Sequence, residues 1–337
     1  MNFNLLILLS LLILSITLGL SSNSYFYFWM SIEINMMAFI PMMLFYNKYY
    51  NNSLLKYYII QSIGSSLILF FSILTIPLNS MNFFMFIILA ISLKIGGAPF
   101  MKWYLNLLKN LSWFNCFFLM TIQKILPFFI LNSIIKNNYY INNMLMTKFM
   151  FMLIILTSIL TLTFLKFSNN LKIFMGISSI NHLSWLMLIM MINQNFWLIY
   201  FLLYTMMLMN LIYMMMKMKL YYLHNLYIIM NKNNFMKTLF SLNLLIFMGI
   251  PPFMSFFLKT FSSMLFINSN LYFINYLLMI IFLFIFFYYL KILTPSMLFF
   301  NINNINNMKM NINYNIYFLM SSKLMMLISL IYWLMNY

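Results

Sequence analysis

Runs of about twenty apolar residues follow one another along this chain from its first residues to its last, separated by short polar connectors. A helix of roughly 20 such residues crosses the hydrocarbon core of a bilayer. Eleven spans can be drawn: residues 3–20, 24–46, 54–77, 82–98, 113–134, 149–166, 172–192, 196–216, 236–258, 269–293 and 317–336. The connectors are rich in Asn, Ser and Lys, as at Asn47–Ser53, Asn137–Asn143 and Asn301–Asn315. No room is left for a soluble domain. The chain is predicted to be an all-α membrane protein with about 11 transmembrane helices. Only 6% of its 337 residues are charged, against about 25% in a soluble domain. Residues 3–20 lack the basic start and the small-residue cleavage site of a signal peptide, and are read as the first span.

A net charge of +17 invites a nucleic-acid reading, which the residue types exclude. All 18 basic residues are Lys, and the only acid is Glu33. Phosphate recognition normally recruits Arg and gathers its charges on one soluble face, whereas these lysines are scattered between apolar spans. Val and Arg are absent while Met, Phe, Ile, Asn, Tyr and Lys abound. That bias fits translation from an AT-rich organellar genome, so a lone Met, Asn or Phe says little about function. With one cysteine, Cys116, and two histidines, no ligand set exists for zinc, haem or an iron–sulfur cluster, and no nucleotide-binding motif is present. No cofactor is expected on this chain.

Lysine also sets the predicted orientation. With eleven spans, twelve lysines fall at the side of the N-terminus, including Lys102, Lys109, Lys217 and Lys219 in connectors and Lys323 near the start of the last span; Lys136 and Lys148 alone fall opposite. The positive-inside rule then puts the N-terminus in the matrix and the C-terminus in the intermembrane space.

Two spans carry breakers. The fourth runs into Gly96-Gly97-Ala98-Pro99 and the ninth contains Gly249-Ile250-Pro251-Pro252. Proline removes a donor and clashes with the preceding turn, so both helices are expected to break rather than only kink. The breaks lie five spans apart, an odd number, so a five-helix repeat must be inverted; discontinuous helices at matching positions of inverted repeats mark transporters. The expected organisation is a first repeat over 1–134, a second over 135–293, and a loop with a C-terminal helix over 294–337.

Glu33, Lys94, Lys124 and Lys259 fall inside or beside spans, and Lys56 begins the third. An intramembrane charge costs at least about 2.5–3.5 kcal/mol and is a functional suspect; the alternative for Lys56, near a helix end, is snorkelling to water. Burial disfavours the charged form of Lys or Glu and a nearby opposite charge restores it, so moving one partner switches the proton affinity of the other. Such residues suit a proton relay. Glu33 and Lys94 are expected to pair, with the carbonyls freed by the fourth helix's break available to the Lys94 ammonium. Thr121 and Gln123 supply polar groups near Lys124, and Ser255 and Ser262 near Lys259. In the seventh span Ser178 and His182 are four residues apart and share a face; they serve either a proton path or interhelical hydrogen bonding. His224, in the Lys-rich segment 217–237, reads as solvated.

Trp-Met-x-x-Glu-Ile-Asn at 29–35, Leu-Lys-x-Gly-x-Ala-Pro-Phe at 93–100, Gln-Lys-x-x-Pro at 123–127, Ser-Ser-Ile-Asn-His at 178–182, and Gly-x-Pro-Pro at 249–252 with Lys259 resemble, in order, the chain 2 family of NADH:ubiquinone oxidoreductase. The match covers about residues 24–260, and eleven spans is the number of the family's animal form. The sequence departs from the family where Met101-Lys102 replaces a usual His and aromatic, and where Lys172 alone stands for a usual basic pair.

The resemblance implies a proton-translocating, antiporter-like subunit of the respiratory complex in the mitochondrial inner membrane. It would pair Glu33 with Lys94, make Lys124 the central relay and put Lys259 nearer the exit. Partners would be the other membrane-arm subunits and lipids such as cardiolipin. FMN, iron–sulfur clusters, NADH and ubiquinone would belong to other subunits. The competing readings are a stand-alone cation/proton antiporter of the same fold and a purely structural membrane-arm subunit.

Overall fold

The computed structural model describes residues 3–298 apart from 47–50, 79–81, 140–143, 167–168, 233 and 252. The expected span 317–336, the segment 294–337 beyond Leu298, Lys48, Lys323 and Pro252 lie outside the described residues. The described chain is built of fourteen α-helices and, among these residues, no β-strand. In hydrocarbon every backbone donor must be satisfied within its own segment, which selects helices for these apolar runs. Many serine and threonine hydroxyls within them bond back to their own helix, as Ser15 does to the Leu12 carbonyl at 2.7 Å.

Among the described residues eight helical segments are long and apolar enough to cross a membrane, one of them, Trp113–Lys136, running through two helices. Two shorter apolar helices, α4 (Asn82–Ile95) and α12 (Asn234–Met248), are the first halves of interrupted spans. The first interruption separates α4 from α5 (Met101–Asn110), a helix absent from the sequence reading because Lys102, Asn106 and Lys109 form an exposed stripe along it. The second separates α12 from α13 (Met254–Asn268), so the expected span 236–258 is divided and its second half runs on to residue 268. The expected span 113–134 is itself two helices, α6 (Trp113–Met120) and α7 (Ile122–Tyr139), meeting at Thr121. Within the Lys-rich segment 217–237 lies another short helix, α11 (Leu223–Lys232), with His224 exposed on it.

The described residues form two compact units, one within Met1–Thr161 and Met175–Gln194, the other within Leu162–Phe174 and from Asn195 to Leu298. In the first, α1 (Phe3–Ser21) packs on α2 (Tyr25–Tyr46), α2 on α3 (Asn51–Leu78), and α3 on α4, while α7 is packed by α1, α2, α4 and α6. Phe39 and Tyr57 meet edge-on, 5.4 Å between centroids, in this core. Large apolar side chains such as Phe3, Ile13, Tyr27 and Met37 face outward; lipid makes that arrangement inexpensive. Most of α8 (Met144–Leu165) and most of α9 (Leu171–Ile192) complete the unit.

In the second unit α12 packs against α10 (Phe196–Lys217), α13 and α14 (Tyr272–Leu298). Phe174, Tyr289 and Phe247 form an aromatic run, with centroids 4.7 and 6.0 Å apart. Lys219, in the left-handed region at φ 52°, closes the end of α10. Asn170 and Tyr222 form an isolated antiparallel bridge, with Leu171 N donating to Tyr221 O at 3.0 Å and Leu223 N to Asn169 O at 3.2 Å.

Candidate functional site: buried lysines at two helix breaks

The two interruptions share local chemistry. Gly96-Gly97-Ala98-Pro99-Phe100 and Gly249-Ile250-Pro251-Pro252-Phe253 agree at the first, fourth and fifth positions. Gly96 and Gly249 both take the left-handed conformation, at φ 77° and 82°, which glycine alone adopts without cost. Phe100 N donates to Gly97 O at 2.8 Å, and Phe253 N to Ile250 O at 2.7 Å. A side chain from the second half-helix caps a carbonyl of the first in both: Trp103 Nε1 donates to Leu93 O at 3.1 Å, and the Ser255 hydroxyl to Ile246 O. Those two carbonyls stand three residues before their respective glycines. Orphan helix-end carbonyls need such partners.

Lys94 sits one residue before the end of α4 and is buried. The carbonyls around it are occupied rather than free for its ammonium. Ser92 O accepts from Gly97 N at 2.8 Å, Leu93 O from Trp103, and Lys94 O from Gln61 Nε2 at 3.1 Å. The Lys94 Nζ makes no hydrogen bond among the described residues. Glu33, half-buried on α2, accepts from the Ser65 hydroxyl of α3 and makes no hydrogen bond with Lys94. One residue from Ser65, Gly64 abuts the lysine stem: a β-carbon there would lie 2.8 Å from Lys94 Cγ and 3.1 Å from Cε. Glu33 and Ser65 also line a cavity of about 410 Å³ with Trp29, Ser62 and Ser66.

The polar face of α3 continues. The Tyr57 hydroxyl donates to Gln123 Oε1 at 3.2 Å, and Gln123 Nε2 to Asn35 Oδ1 at 2.7 Å. Tyr57, Gln61, Gly64 and Ser65 recur at helical spacing, so one face of α3 touches groups beside or belonging to Glu33, Lys94 and Lys124. That stripe was readable as polar residues at i, i+4 and i+8 of an apolar helix. Lys56 is exposed near the start of α3, which is the geometry of a snorkelling lysine.

Lys124 lies in the first turn of α7, just past the interruption at Thr121, and is buried. The Thr121 hydroxyl donates to Phe117 O at 2.7 Å, competing with helix continuation, and Pro127 cannot donate to the carbonyl four residues back. The groups expected beside the lysine are therefore committed elsewhere, Thr121 to Phe117 and Gln123 to Asn35 and Tyr57. Its hydrogen-bond partner is instead Ser179 of α9, with Nζ 3.3 Å from Oγ. Tyr104 of α5 approaches the same oxygen at 2.9 Å, and its ring centroid is 5.1 Å from the ammonium. The neighbouring Ser178 bonds to its own helix at Met175 O, 2.7 Å, and His182 is buried on α9.

In the second unit Lys259 is buried on α13 against the α12 break. Its Nζ stands 3.4 Å from the Phe282 ring centroid of α14, a close cation–π approach. A β-carbon on Gly249 would lie 3.2 Å from Ser255 Oγ, 3.3 Å from Lys259 Nζ and 3.4 Å from Phe282 Cζ, so the four residues close around one point. The Ser262 hydroxyl donates to Lys259 O at 2.8 Å. Each break thus has a buried lysine beside it. On the first half-helix that lysine is Lys94; on the second half-helix of the other break it is Lys259.

Comparison with known proteins shows the family. Residues 76–286 match the family described as NADH:quinone oxidoreductase/Mrp antiporter, transmembrane. NADH-ubiquinone oxidoreductase chain 2 of Anopheles gambiae is 34% identical over 237 residues, covering 68% of this chain and 67% of the relative. The Aedes aegypti protein of the same name is 32% identical over 295 residues, covering 84% and 82%. A chain of respiratory complex I from Thermus thermophilus superposes with a TM-score of 0.81 at 14% identity, over 97% of this chain and 78% of the other. A chain of the Mrp complex from Dietzia sp. does so at 0.72 and 11% identity, over 86% and 59%. The chain belongs to the NADH:quinone oxidoreductase/Mrp antiporter transmembrane family, on its NADH-ubiquinone oxidoreductase chain 2 branch.

Proposed function

We propose that protons cross the mitochondrial inner membrane through this chain by way of Lys94, Lys124 and Lys259, with Glu33 supplying the one negative charge of the relay. The chain is a proton-translocating membrane-arm subunit of respiratory NADH:ubiquinone oxidoreductase, and it assembles with other subunits of that complex. The observation that carries the relay is the placement of these lysines, each buried and each beside a helix interruption: Lys94 at the end of α4, Lys124 in the first turn of α7, and Lys259 in the second turn of α13 with its Nζ reaching back to Gly249. A buried ammonium in lipid surroundings is too costly to keep without use, and a helix interruption is where its surroundings can change at low cost.

Glu33 favours a charged Lys94; drawing the carboxylate away, or neutralising it, releases that preference and lets the proton leave. Lys124 rests between an acceptor oxygen and an aromatic face, and Lys259 against a ring, so each can be held charged or emptied by small displacements. Each proton moved against the potential requires about 2.3 kcal/mol per 100 mV. We read quinone chemistry in other subunits as the source of that energy, a reading supported by the lack of a Cys/His ligand set for haem or an iron–sulfur cluster in a sequence with one cysteine and two histidines. His182 is read as a member of the path near Lys124, and Lys56 as an entry-side lysine.

The breaks at Gly96–Pro99 and Gly249–Pro252 are read as equivalent positions of two inverted five-helix repeats, 1–134 and 135–293, followed by a C-terminal helix for eleven spans in all. Shared glycine conformation, shared turn hydrogen bond and shared side-chain capping support it. The lysine asymmetry supports an N-terminus in the matrix and a C-terminus in the intermembrane space, with anionic lipids such as cardiolipin beside the exposed lysines. The stand-alone antiporter reading has the Mrp likeness behind it, but the closer sequence relatives favour the respiratory complex. Lys124→Ala tests the relay: assembled complex in sealed vesicles should translocate fewer protons per NADH oxidised. Unchanged stoichiometry would leave only a scaffold.

A further inference from the structure

We propose that Tyr104 is a positioning residue for Lys124: its hydroxyl fixes Ser179 as an acceptor aimed at the lysine, and its ring, packed on the α4 break at Gly96, ties that break to Lys124. The proposal rests on the reading of Lys124 as a relay group and adds to it a residue that neither the motifs nor the lysine pattern singles out.

Hydrogen-bond inventory fixes the direction of each contact. A serine hydroxyl has one proton to donate and two lone pairs to accept with. Ser179 Oγ donates to Gly176 O at 2.7 Å on its own helix. With its proton committed to Gly176 O, the contacts at 2.9 Å to Tyr104 Oη and 3.3 Å to Lys124 Nζ are both bonds that Ser179 accepts. The tyrosine therefore donates. By filling one lone pair it leaves the other for the lysine, and it removes the freedom of the hydroxyl to turn and donate toward an unprotonated amine. The ring of the same residue, 5.1 Å from Nζ, presents a negative face to the same charge.

The backbone holds Tyr104 in that place from two sides. On α9, a β-carbon at Gly176 would lie 3.2 Å from Leu105 Cδ2 and 3.7 Å from Tyr104 Cε1, so α5 and α9 approach closely one turn from Ser179. At the break, a β-carbon on Gly96 would lie 2.6 Å from Tyr104 Cβ and 2.8 Å from Cγ. Gly96 is two residues from Lys94. A rearrangement of that turn therefore pushes directly on the base of the side chain whose far end holds Ser179. Contact runs from Lys94's own turn to Lys124 through one residue.

The test compares Lys124→Ala, Tyr104→Phe, Ser179→Ala, the Tyr104→Phe/Ser179→Ala double variant and Ser179→Thr in assembled complex in sealed vesicles, reading protons translocated per NADH oxidised. Tyr104→Phe removes one oxygen and keeps the ring, so packing at Gly96 is retained. It should lower the stoichiometry part of the way toward Lys124→Ala. Ser179→Ala should lower it too, the double variant no further than Ser179→Ala alone, and Ser179→Thr should keep the parent value. Normalising to NADH oxidation reads only complex that has assembled, and Ser179→Ala interrogates the same contact from its other side. A Tyr104→Phe complex with the parent stoichiometry while Lys124→Ala has lost it, or a double variant with additive losses, overturns the proposal and spares the relay. Parent stoichiometry in Lys124→Ala overturns both.

Discussion

Gly64 lies against Lys94 so closely that a β-carbon at position 64 would stand 2.8 Å from the lysine Cγ. The contact is with the stem of the side chain, not its far end, so an added methyl displaces the lysine as a whole. Gly64→Ala should therefore reduce proton translocation per NADH while the helix itself, for which alanine is the better former, stays intact. Vesicle pumping assays and the amount of complex on native gels separate the two effects. Normal pumping would show that the position of Lys94 is not critical.

The two left-handed glycines should differ in tolerance. Alanine in that conformation costs roughly 1–2 kcal/mol at either site. At Gly96 the new carbon would also meet the root of Tyr104 at 2.6 Å, whereas at Gly249 it would meet side-chain ends, Ser255 Oγ at 3.2 Å and Lys259 Nζ at 3.3 Å, which can move aside. Gly96→Ala should lower the yield of assembled complex more than Gly249→Ala, measured as complex content per membrane protein. The reverse order would contradict the packing described for the first break.

Phe282 should matter through its ring. Cation–π contacts contribute about 0.5–2 kcal/mol, and the Lys259 ammonium stands 3.4 Å from the ring centroid. Phe282→Leu keeps an apolar side chain and loses the ring's negative face, and should reduce protons pumped per NADH; Phe282→Tyr should pump like the parent. Equal stoichiometry in the leucine variant would make the ring mere filling.

Glu33→Gln removes the sole carboxylate side chain and preserves a hydrogen-bonding shape for Ser65. Loss of proton translocation with the complex still assembled is the expected result, and Ser65→Ala should produce a smaller loss of the same kind. Normal stoichiometry in Glu33→Gln would remove Glu33 from the relay.

Much of this was legible in the sequence, and the exceptions have physical causes. Hydropathy located eight membrane-length segments among the described residues because lipid demands long apolar runs, and Gly96, Pro99, Gly249 and Pro251 marked the interruptions because backbone chemistry is local. Helix α5 escaped notice: Lys102, Asn106 and Lys109 on its outer face dilute an apolar average even though Met101, Tyr104, Leu105 and Leu108 are buried. The interruption at Thr121 has neither Gly nor Pro to announce it; a hydroxyl turned back on Phe117 O replaces them. Ser179 rather than Ser178 reaches Lys124, and the two differ only in which way they point around α9, which depends on the approach of α5 at Gly176. Periodicity names a face of a helix. It does not name the neighbour across from it.

The polar face of α3 carries a mechanical consequence. Gln61 holds the Lys94 carbonyl, Gly64 bears on the Lys94 stem, Ser65 holds the Glu33 carboxylate, and Tyr57 holds Gln123 next to Lys124. These four residues lie on a single rigid rod, spaced over two turns. A slide or twist of α3 cannot alter one of these contacts and leave the rest in register; it must act on the acid and both lysines in a single stroke. In the proposed relay the helix acts as a camshaft, linking three charge sites through the geometry of one element without a signal having to pass between them.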